Sequence, residues 1–225
     1  MESIDATCLQ FQHPFTMLVA GPTMCGKSAW VTKLIQQRER MIEPTPEKII
    51  WSYKSWQGIY DSLMTEHGVQ FVNGTDFDLD SQYRTLVIID DQMADINEKM
   101  VDWFVRGCHH DNMSLIFITQ NLFFPDKKFR TASLNSHYLV LFRNPRDSSQ
   151  IQCLARQMYP GKSHGMIQAF EDATSSAYGT LLVDLKSATP NKLRLRSNIF
   201  HDIQTYLSNR ACLVTKLLSN QRVIA

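Results

Sequence analysis

The sequence lacks the features that define several classes of protein. Five cysteines are scattered over 225 residues without a Cys-x-x-Cys pair, so neither a zinc ribbon nor a disulfide framework is expected. The formal net charge is only +1, which excludes a polybasic protein that coats nucleic acid with its whole surface. No apolar run approaches about 20 residues, so the sequence offers no candidate for a membrane-spanning helix.

Two further absences concern metal binding and targeting. The run Cys108-His109-His110 is a poor metal site by itself, because adjacent side chains point in different directions and the metal would need distant partners. The amino terminus shows no basic segment followed by an apolar core, and unpaired cysteines are typical of a reducing compartment. We therefore expect an intracellular protein of the nucleus or cytoplasm that is not secreted and has no membrane partner.

The composition is that of an ordinary globular domain. Hydrophobic residues make up 44% of the chain and charged residues 20%, and the length suits one α/β domain with a proper core but is short for two. We expect one domain over residues 1–200, followed by a weakly helical tail over residues 201–225.

Short apolar runs alternate with helical patterns along the sequence. Eight runs predict strands: Thr16–Ala20, Ile49–Tyr53, Val69–Val72, Thr85–Ile89, Leu115–Thr119, Tyr138–Phe142, Leu181–Leu185 and Leu193–Leu195. Five segments predict helices: Lys27–Gln37, Ser55–Met64, Ile96–Arg106, Ser148–Gln157 and Met166–Glu171. The residues expected to face inward in the third helix are Met100, Val101, Phe104 and Val105.

This alternation predicts the fold class. Strands that are apolar throughout predict an α/β fold with a mostly parallel central sheet, flanked by helices on both faces. Ligands of such sheets bind at the edge where the strands reach their carboxyl ends. Polar residues that directly follow the predicted strands are therefore the candidates for a functional site.

A glycine-rich turn connects the first predicted strand to the first predicted helix. It matches the phosphate-binding pattern GxxxxGK[ST] in full, and the nucleotide-binding residues that it predicts are Gly21, Pro22, Thr23, Met24, Cys25, Gly26, Lys27 and Ser28. The glycines let successive backbone N–H groups face a phosphate, and the helix adds its positive N-terminal end. Lys27 is expected to reach the β- and γ-phosphates of ATP, and the Ser28 hydroxyl is expected to bind Mg²⁺.

Two adjacent carboxylates follow the strand Thr85–Ile89. Asp90 is the predicted carboxylate ligand of Mg²⁺, and Asp91 is predicted to face the water that attacks the γ-phosphorus. A glutamate is the commoner water-orienting residue, and aspartate is one methylene shorter, so a slow or inactive ATPase stays open. A solvated strand end would explain the pair equally well if the phosphate loop were not present upstream.

Polar and cationic residues follow the next two strands. Gln120 is predicted to contact the γ-phosphate and the attacking water, although the polar start of a loop explains it equally well. An arginine brought to the γ-phosphate, often by a neighbouring subunit, accelerates phosphoryl transfer. Arg143 is the preferred catalytic candidate because it directly follows Tyr138–Phe142, while Arg130 and Arg146 stay open.

Two short segments concentrate positive charge. Lys127, Lys128 and Arg130 lie in a predicted basic loop and are the candidate nucleic-acid contacts, since such a loop can track phosphates without reading bases. Lys192–Arg196 alternates cationic and apolar residues, so a strand there would place its cations on one face. An ordinary solvated sheet face explains this second segment slightly better. A hairpin round Pro190-Asn191 would place it beside the preceding strand.

Taken together, these residues resemble the FtsK/HerA superfamily of DNA-pumping ATPases, above all the genome-packaging ATPases of poxvirus-type viruses, Polinton/Maverick elements and adintoviruses. The likeness runs from Phe11-Gln12-His13-Pro14-Phe15 to Asn198-Ile199-Phe200 and covers most of the chain. Its most particular stretches are Thr119-Gln120-Asn121 and Arg143-Asn144-Pro145-Arg146-Asp147. Asp91 is the main departure, because the superfamily usually has glutamate there.

The resemblance implies a P-loop NTPase fold of the RecA-like, additional-strand class. It also implies ATP-driven translocation of double-stranded DNA by a ring of identical subunits, with ATP at the subunit boundaries and an arginine contributed across them. The expected role is packaging of a viral or virus-like genome in a host cell. The expected partners are duplex DNA, further copies of this chain and capsid proteins.

Three other functions share a phosphate loop. A GTPase is excluded because Asn191-Lys192-Leu193-Arg194 has arginine where the guanine-binding aspartate of Asn-Lys-x-Asp must stand. A nucleoside or nucleotide kinase is the main enzymatic alternative, and turnover stimulated by duplex DNA but not by nucleosides would separate the two. A nucleotide-binding scaffold would bind ATP without releasing phosphate.

Overall fold

A single mixed sheet organises the part of the chain that the computed structural model describes, namely residues 9–90, 98–107, 112–123, 127–201, 203–207 and 210–214. Within those residues the sheet has ten strands, and two further short strands pair with each other. The strands are β1 (Phe11–Gln12), β2 (Thr16–Ala20), β3 (Ile42–Glu43), β4 (Lys48–Tyr53), β5 (Gln70–Asn73), β6 (Thr85–Asp90), β7 (Met113–Thr119), β8 (Tyr138–Phe142), β9 (Thr180–Asp184), β10 (Leu195–Ser197), β11 (Gln204–Leu207) and β12 (Arg210–Val214).

Helices connect most of the parallel strands. They are α1 (Lys27–Gln36), α2 (Arg38–Met41), α3 (Ile59–His67), α4 (Glu98–Asp102), α5 (Lys127–Leu134), α6 (Ser149–Met158) and α7 (Ser163–Ala173), with a π-helical turn at Trp103–Gly107 and a 3₁₀ turn at Asn191–Leu193. None of the helices in the described ranges combines the length and the apolar character needed to cross a bilayer.

The strand order is β12-β11-β10-β9-β8-β2-β7-β6-β4-β5. The six strands from β8 to β5 are mutually parallel, whereas β9, β10, β11 and β12 extend the sheet in antiparallel fashion. The predicted mostly parallel sheet is therefore confirmed for the strands that the phosphate loop adjoins, and the added antiparallel strands make the whole sheet mixed. The predicted hairpin between β9 and β10 is also present.

Both faces of the sheet are covered, which explains why its strands do not alternate between apolar and polar residues. Leu18 and Ala20 face a core that includes residues of α4, α5, α6 and α7. Met17 and Val19 face the opposite core, which includes residues of α1 and α3. Every residue of β2 is buried as a result.

Three of the predicted helices differ from their predictions by more than one residue. α7 spans Ser163–Ala173 rather than Met166–Glu171. α3 begins at Ile59 rather than Ser55, because the preceding loop folds back so that the Trp56 ring packs 5.3 Å from Tyr53 and 5.4 Å from Tyr60. α4 passes into the π-helical turn, which changes the angular position of the following side chains. Trp103 and Phe104 are buried there, whereas Val105, predicted to face inward, is 41% exposed.

The expected helical tail is wrong for the residues that the structure describes beyond 200. Residues 204–207 and 210–214 form β11 and β12, which continue the sheet. Thr205 and Tyr206 are both buried, because β-branched and aromatic side chains pack well on the faces of a sheet. Residues 215–225 lie outside the described part of the chain.

Candidate nucleotide-binding site

Four parallel strands bring the predicted site residues to one edge of the sheet. Their register places Ala20 opposite Thr119 and Leu141, and Asp90 opposite Ile118. The residues that follow these strand ends therefore meet at the carboxyl edge, as expected for ligand sites of parallel sheets. Those residues are Gly21–Ser28, Asp90, Gln120 and Arg143.

The phosphate loop requires glycine at both glycine positions of the GxxxxGK[ST] pattern, Gly21 and Gly26. A Cβ atom added at Gly21 would lie 2.6 Å from Cβ of Phe142 and 2.8 Å from Sγ of Cys25. Gly26 has a φ of +98°, a left-handed conformation that side chains with a Cβ rarely adopt. The loop can follow this path only with glycine at these two points. Cys25 lies between them in the sequence, and burial raises the pKa of its thiol.

The loop leads directly into α1, whose first turn holds Lys27 and Ser28. Gly26 caps the helix without a side-chain hydrogen bond, so backbone N–H groups of the first turn face the loop. The Lys27 ammonium donates hydrogen bonds of 2.8 Å to the carbonyl oxygens of Gly21 and Pro22. These two hydrogen bonds hold the Lys27 ammonium, and with it a positive charge, on the concave side of the loop.

Ser28 and Asp90 meet directly. The Ser28 hydroxyl donates a hydrogen bond of 3.0 Å to Oδ2 of Asp90, and Asp90 is only 5% exposed. A hydroxyl and a carboxylate are both hard oxygen donors of the kind that Mg²⁺ prefers. No group of three or more His, Cys, Asp or Glu side chains that could hold a metal occurs in the described ranges.

Tyr60 of α3 also binds Asp90, a contact that the sequence analysis missed. Its hydroxyl donates a hydrogen bond of 3.1 Å to the same Oδ2 atom. Burial, and then the Asp90 charge, raise the pKa of the Tyr60 hydroxyl well above its usual range, so it acts as a neutral donor. β4 pairs with β6, the strand that ends in Asp90, and Tyr60 lies in the helix that follows β4. A tyrosine at that place in the chain was the only signal in the sequence for this contact.

An open cleft lies over these groups. Its volume is about 600 Å³, within the range of about 300–1,000 Å³ that is typical of small-molecule sites. Its lining includes Lys27, Ser28, Asp90 and Gln120, together with Gln57 at the end of the loop before α3. The cleft therefore joins the phosphate loop, the acidic strand and the amide predicted to contact the γ-phosphate.

A second amide connects the two remaining loops of the edge. The Gln150 side chain accepts a hydrogen bond of 2.7 Å from the Leu122 backbone N–H and donates one of 2.6 Å to Asp147. It thereby ties the loop after Gln120 to the loop that begins at Arg143. Arg143 itself is exposed and makes no ion pair with any residue in the described ranges.

Two sequence-derived interpretations fall outside the described residues. Asp91, the predicted water-orienting carboxylate, directly follows the end of β6 but lies in the undescribed range 91–97. Cys108, His109 and His110, considered above as a metal site, are likewise outside the described part of the chain.

The predicted basic loop is a helix in the structure. Lys127, Lys128 and Arg130 occupy the beginning of α5 and are all exposed, while Phe129 between them is buried. The burial of Phe129 against Phe117, with ring centroids 6.2 Å apart, anchors this turn to the sheet. The three cations therefore project from a fixed helix rather than from a loop. Glu98 lies 3.9 Å from the Lys128 ammonium.

The second basic segment does not form a cationic sheet face. Arg196 is completely buried, and its guanidinium lies 2.9 Å from the Asp184 carboxylate. Arg194 donates hydrogen bonds to backbone oxygens of Asp184, Lys186 and Thr189. The alternating pattern was misleading because Leu193 ends a 3₁₀ turn and β10 begins only at Leu195. The predicted strand Leu193–Leu195 therefore lies two residues too early, and Lys192 and Arg194 precede the observed strand.

The strand order and the loop geometry decide the fold. β7 lies between β2, which carries the phosphate loop, and β6, which carries Asp90; this is the arrangement of the additional-strand class. Lys27 closes the loop, and Ser28 reaches Asp90 across the intervening strand. The chain has a P-loop NTPase fold.

Solved structures that are similar to this chain include the following two. The genome packaging NTPase B204 from Sulfolobus turreted icosahedral virus 2, in complex with ATP-gammaS, has 11% sequence identity over 91% of this chain and 98% of its own, with a TM-score of 0.49. Thermomonospora curvata EccC (ATPases 2 and 3), in complex with a signal sequence peptide, has 12% identity over 92% of this chain, with a TM-score of 0.43. This chain spans 37% of the EccC chain.

Comparisons at the level of sequence give no match. No protein-family profile matches the chain, and no curated protein matches it. At these identities and TM-scores, the fold and the site are defined by the geometry of the chain itself.

Proposed function

We propose that this protein is an ATPase that binds ATP with Mg²⁺ in the cleft and couples hydrolysis to the movement of double-stranded DNA. One observation carries the proposal. Ser28 of the phosphate loop and Asp90 of the acidic strand lie within hydrogen-bond distance of each other. A phosphate loop that occurred by chance would have no reason to place its serine against a buried carboxylate two strands away in the sheet.

Phosphate binding is the task of the loop and the first turn of α1. The backbone N–H groups there offer donors to phosphate oxygens, and the positive end of the helix favours negative charge. The Lys27 ammonium now contacts two loop carbonyls. Phosphate oxygens carry more negative charge than these carbonyls, so they would replace them as partners of the ammonium.

Ser28 and Asp90 would hold the Mg²⁺ ion. A bound Mg²⁺ supplies charge neutralisation between the β- and γ-phosphates. Tyr60 fixes the Asp90 carboxylate by its hydrogen bond, which limits the orientations that this ligand can adopt.

Hydrolysis requires a positioned water and stabilisation of the transferred phosphoryl group. We assign water orientation to Asp91 and contact with the γ-phosphate to Gln120, which lines the cleft. We assign charge stabilisation to Arg143, acting on the site of a neighbouring subunit in a ring. Its exposed position after β8 supports this role, because a residue that acts across a boundary must reach beyond its own subunit.

Duplex DNA is the proposed track, and genome packaging into a capsid is the proposed role. A net charge of +1 is too small for one subunit to hold DNA through its overall charge. A ring repeats a local cationic patch around the duplex instead. The exposed cations at the start of α5, Lys127, Lys128 and Arg130, supply such a patch, and they can bind phosphates without reading base sequence.

The test is phosphate release from ATP, measured with and without duplex DNA. We expect turnover by the wild type that duplex DNA stimulates, and loss of turnover in Lys27→Ala with retained fold. Lys162→Ala, which removes an exposed lysine away from the cleft, is the matched control and should behave as wild type. Stimulation by nucleosides instead of DNA would indicate a kinase, and ATP binding without phosphate release would indicate a scaffold; either result would contradict the proposal.

A further inference from the structure

The turn between α7 and β9 places an exposed aromatic ring beside the phosphate loop. Tyr178 is 73% exposed and lies just before β9. Because β9 is antiparallel to β8, with Thr180 opposite Phe142, β9 begins at the same edge where β8 ends. The Tyr178 turn therefore belongs to the edge of the sheet that carries the cleft.

The ring contacts the last glycine of the phosphate loop. A Cβ atom added at Gly26 would lie 2.9 Å from Cδ1 and 3.7 Å from Cε1 of Tyr178. The aromatic edge thus packs where a side chain at Gly26 would otherwise project. Gly26 is the residue from which α1 starts, so the ring lies next to the residues proposed to bind phosphate.

The backbone of Tyr178 is in an unfavourable conformation. Its φ is +61°, in the left-handed region that a bulky residue rarely adopts. The flanking turn holds this conformation: the Gly179 N–H donates to Ser176 O at 3.1 Å, and a Cβ at Gly179 would lie 2.4 Å from Ala173 O. Residues kept in sparsely populated backbone regions are concentrated at functional sites.

Packing alone does not account for this arrangement. An aromatic residue stabilises a fold mainly through the surface that it buries, and most of the Tyr178 surface is in solvent. An unfavourable backbone conformation therefore holds a ring beside Gly26 of the phosphate loop with little gain in buried area. The arrangement is explained if the exposed face of the ring has a ligand.

We infer that Tyr178 provides the stacking surface for the base of the nucleotide whose phosphates bind in the loop. This inference rests on the proposed function. A nucleotide held at Gly21–Ser28 must carry its ribose and base outward from the loop, and Tyr178 is an exposed aromatic side chain that contacts this loop. Because every base has a π-face, stacking distinguishes a nucleotide from a bare triphosphate rather than one base from another.

The experiment compares the binding of Mg²⁺–ATP with that of inorganic tripolyphosphate, which has the phosphates but no base. We expect Tyr178→Ala to weaken ATP binding by about thirtyfold, the middle of the range for base–aromatic stacking, and to leave tripolyphosphate binding unchanged. Tyr178→Phe keeps the ring and should bind both as wild type does. Leu134→Ala removes another side chain that is 73% exposed, on α5 away from the cleft, and should change neither affinity.

The outcomes separate this inference from the proposed function. If Tyr178→Ala weakens ATP and tripolyphosphate equally, the ring supports the loop rather than the base, and the inference is overturned. If Tyr178→Ala changes neither affinity, the ring serves another purpose, such as contact with a neighbouring subunit, and the inference is again overturned while the proposed function stands. If the wild type binds neither compound, the proposed function itself fails.

Discussion

At the scale of single residues, the site depends on one carboxylate oxygen. Oδ2 of Asp90 accepts hydrogen bonds from Ser28 at 3.0 Å and from Tyr60 at 3.1 Å. The two donors come from helices that follow different strands, so the position of Asp90 is set from two directions. Mutation of a group that orients a metal ligand typically lowers metal affinity by about 10- to 100-fold.

We expect Tyr60→Phe to raise the Mg²⁺ concentration needed for half-maximal ATP turnover by about tenfold, because the Asp90 carboxylate loses one of the donors that orient it. The measurement is turnover against Mg²⁺ concentration at saturating ATP. Tyr83→Phe removes a tyrosine hydroxyl that is remote from the cleft and should leave the curve unchanged. An unaltered Mg²⁺ requirement in a folded Tyr60→Phe protein would show that Tyr60 does not position Asp90.

His13 makes the stability of the fold depend on pH. Burial lowers the pKa of the His13 imidazole, although hydrogen bonding to Asn112 opposes this effect. The ring lies 2.6 Å from the Ser114 hydroxyl and 3.3 Å from the Asn112 amide oxygen. Below its ordinary pKa of about 6.5, the unfolded chain takes up a proton that the folded chain resists. Stability is therefore lost as the pH falls through this value.

We expect the free energy of unfolding in urea to fall between pH 7.5 and pH 5.5, and to fall less in His13→Asn. The neutral amide keeps a polar group in the site but does not titrate. If both proteins lose the same stability over this range, another group is responsible for the pH dependence.

At the scale of elements, the bounds predicted from the sequence are most accurate for strands that are short apolar runs and are also fully buried. β2 and β8 have the predicted bounds, Thr16–Ala20 and Tyr138–Phe142, because each is a short apolar run in the middle of a covered sheet. The predicted glycine-rich turn and its helix α1 were found for the same reason. The pairing of Ser28 with Asp90 followed from two local patterns and the rule that parallel strands end at one edge.

The predictions failed where tertiary contacts decide the structure. Lys127–Arg130 has the composition of a loop, yet the burial of Phe129 makes it part of a helix. Gln204–Leu207 has no strong local signal and is a strand because it pairs with β10. Arg196 was misjudged because its partner, Asp184, lies on a different strand of the hairpin. Tyr60 was missed because nothing local connects it to Asp90.

The ion pair between Arg196 and Asp184 joins the two strands of the hairpin, β10 and β9. The side chains of both residues are almost fully buried, and Arg196 also donates to the backbone oxygen of Leu9. We expect Arg196→Leu to lower the free energy of unfolding by about 3–5 kcal/mol, because it leaves a buried carboxylate without its counter-charge. The measurement is unfolding in urea.

Two controls sharpen this prediction. Adding Asp184→Leu to Arg196→Leu should recover part of the loss, since the uncompensated charge is removed as well. Arg156→Leu changes an exposed arginine of α6 and should cost less than about 1 kcal/mol. A loss for Arg196→Leu as small as that of this control would contradict a stabilising role for the pair.

At the scale of the whole molecule, the antiparallel extension of the sheet has a consequence for the site. It returns the chain to the carboxyl edge at the start of β9, and so adds Tyr178 to an edge otherwise built by parallel strands. The same edge presents Arg143 to the outside. A nucleotide in the cleft would therefore lie near a surface that a neighbouring subunit can complete.

The proposed action of Arg143 across a subunit boundary is tested by mixing variants. Arg143→Ala and Lys27→Ala should each be inactive alone, because one lacks the arginine and the other cannot hold the phosphates. In mixed rings, an intact Lys27 site can receive an intact Arg143 from its neighbour, so we expect phosphate release to be partly restored. No restoration in rings shown to contain both variants would mean that Arg143 acts within its own subunit or has a structural role.

Calorimetric titration of ATP in the presence and absence of Mg²⁺ tests whether Ser28 and Asp90 hold one Mg²⁺ ion against the phosphates of ATP. We predict that Mg²⁺ tightens ATP binding to the wild type, and that Asp90→Asn and Ser28→Ala each lose most of this tightening while still binding ATP without the metal. Equal tightening by Mg²⁺ in the wild type and both variants would contradict the account.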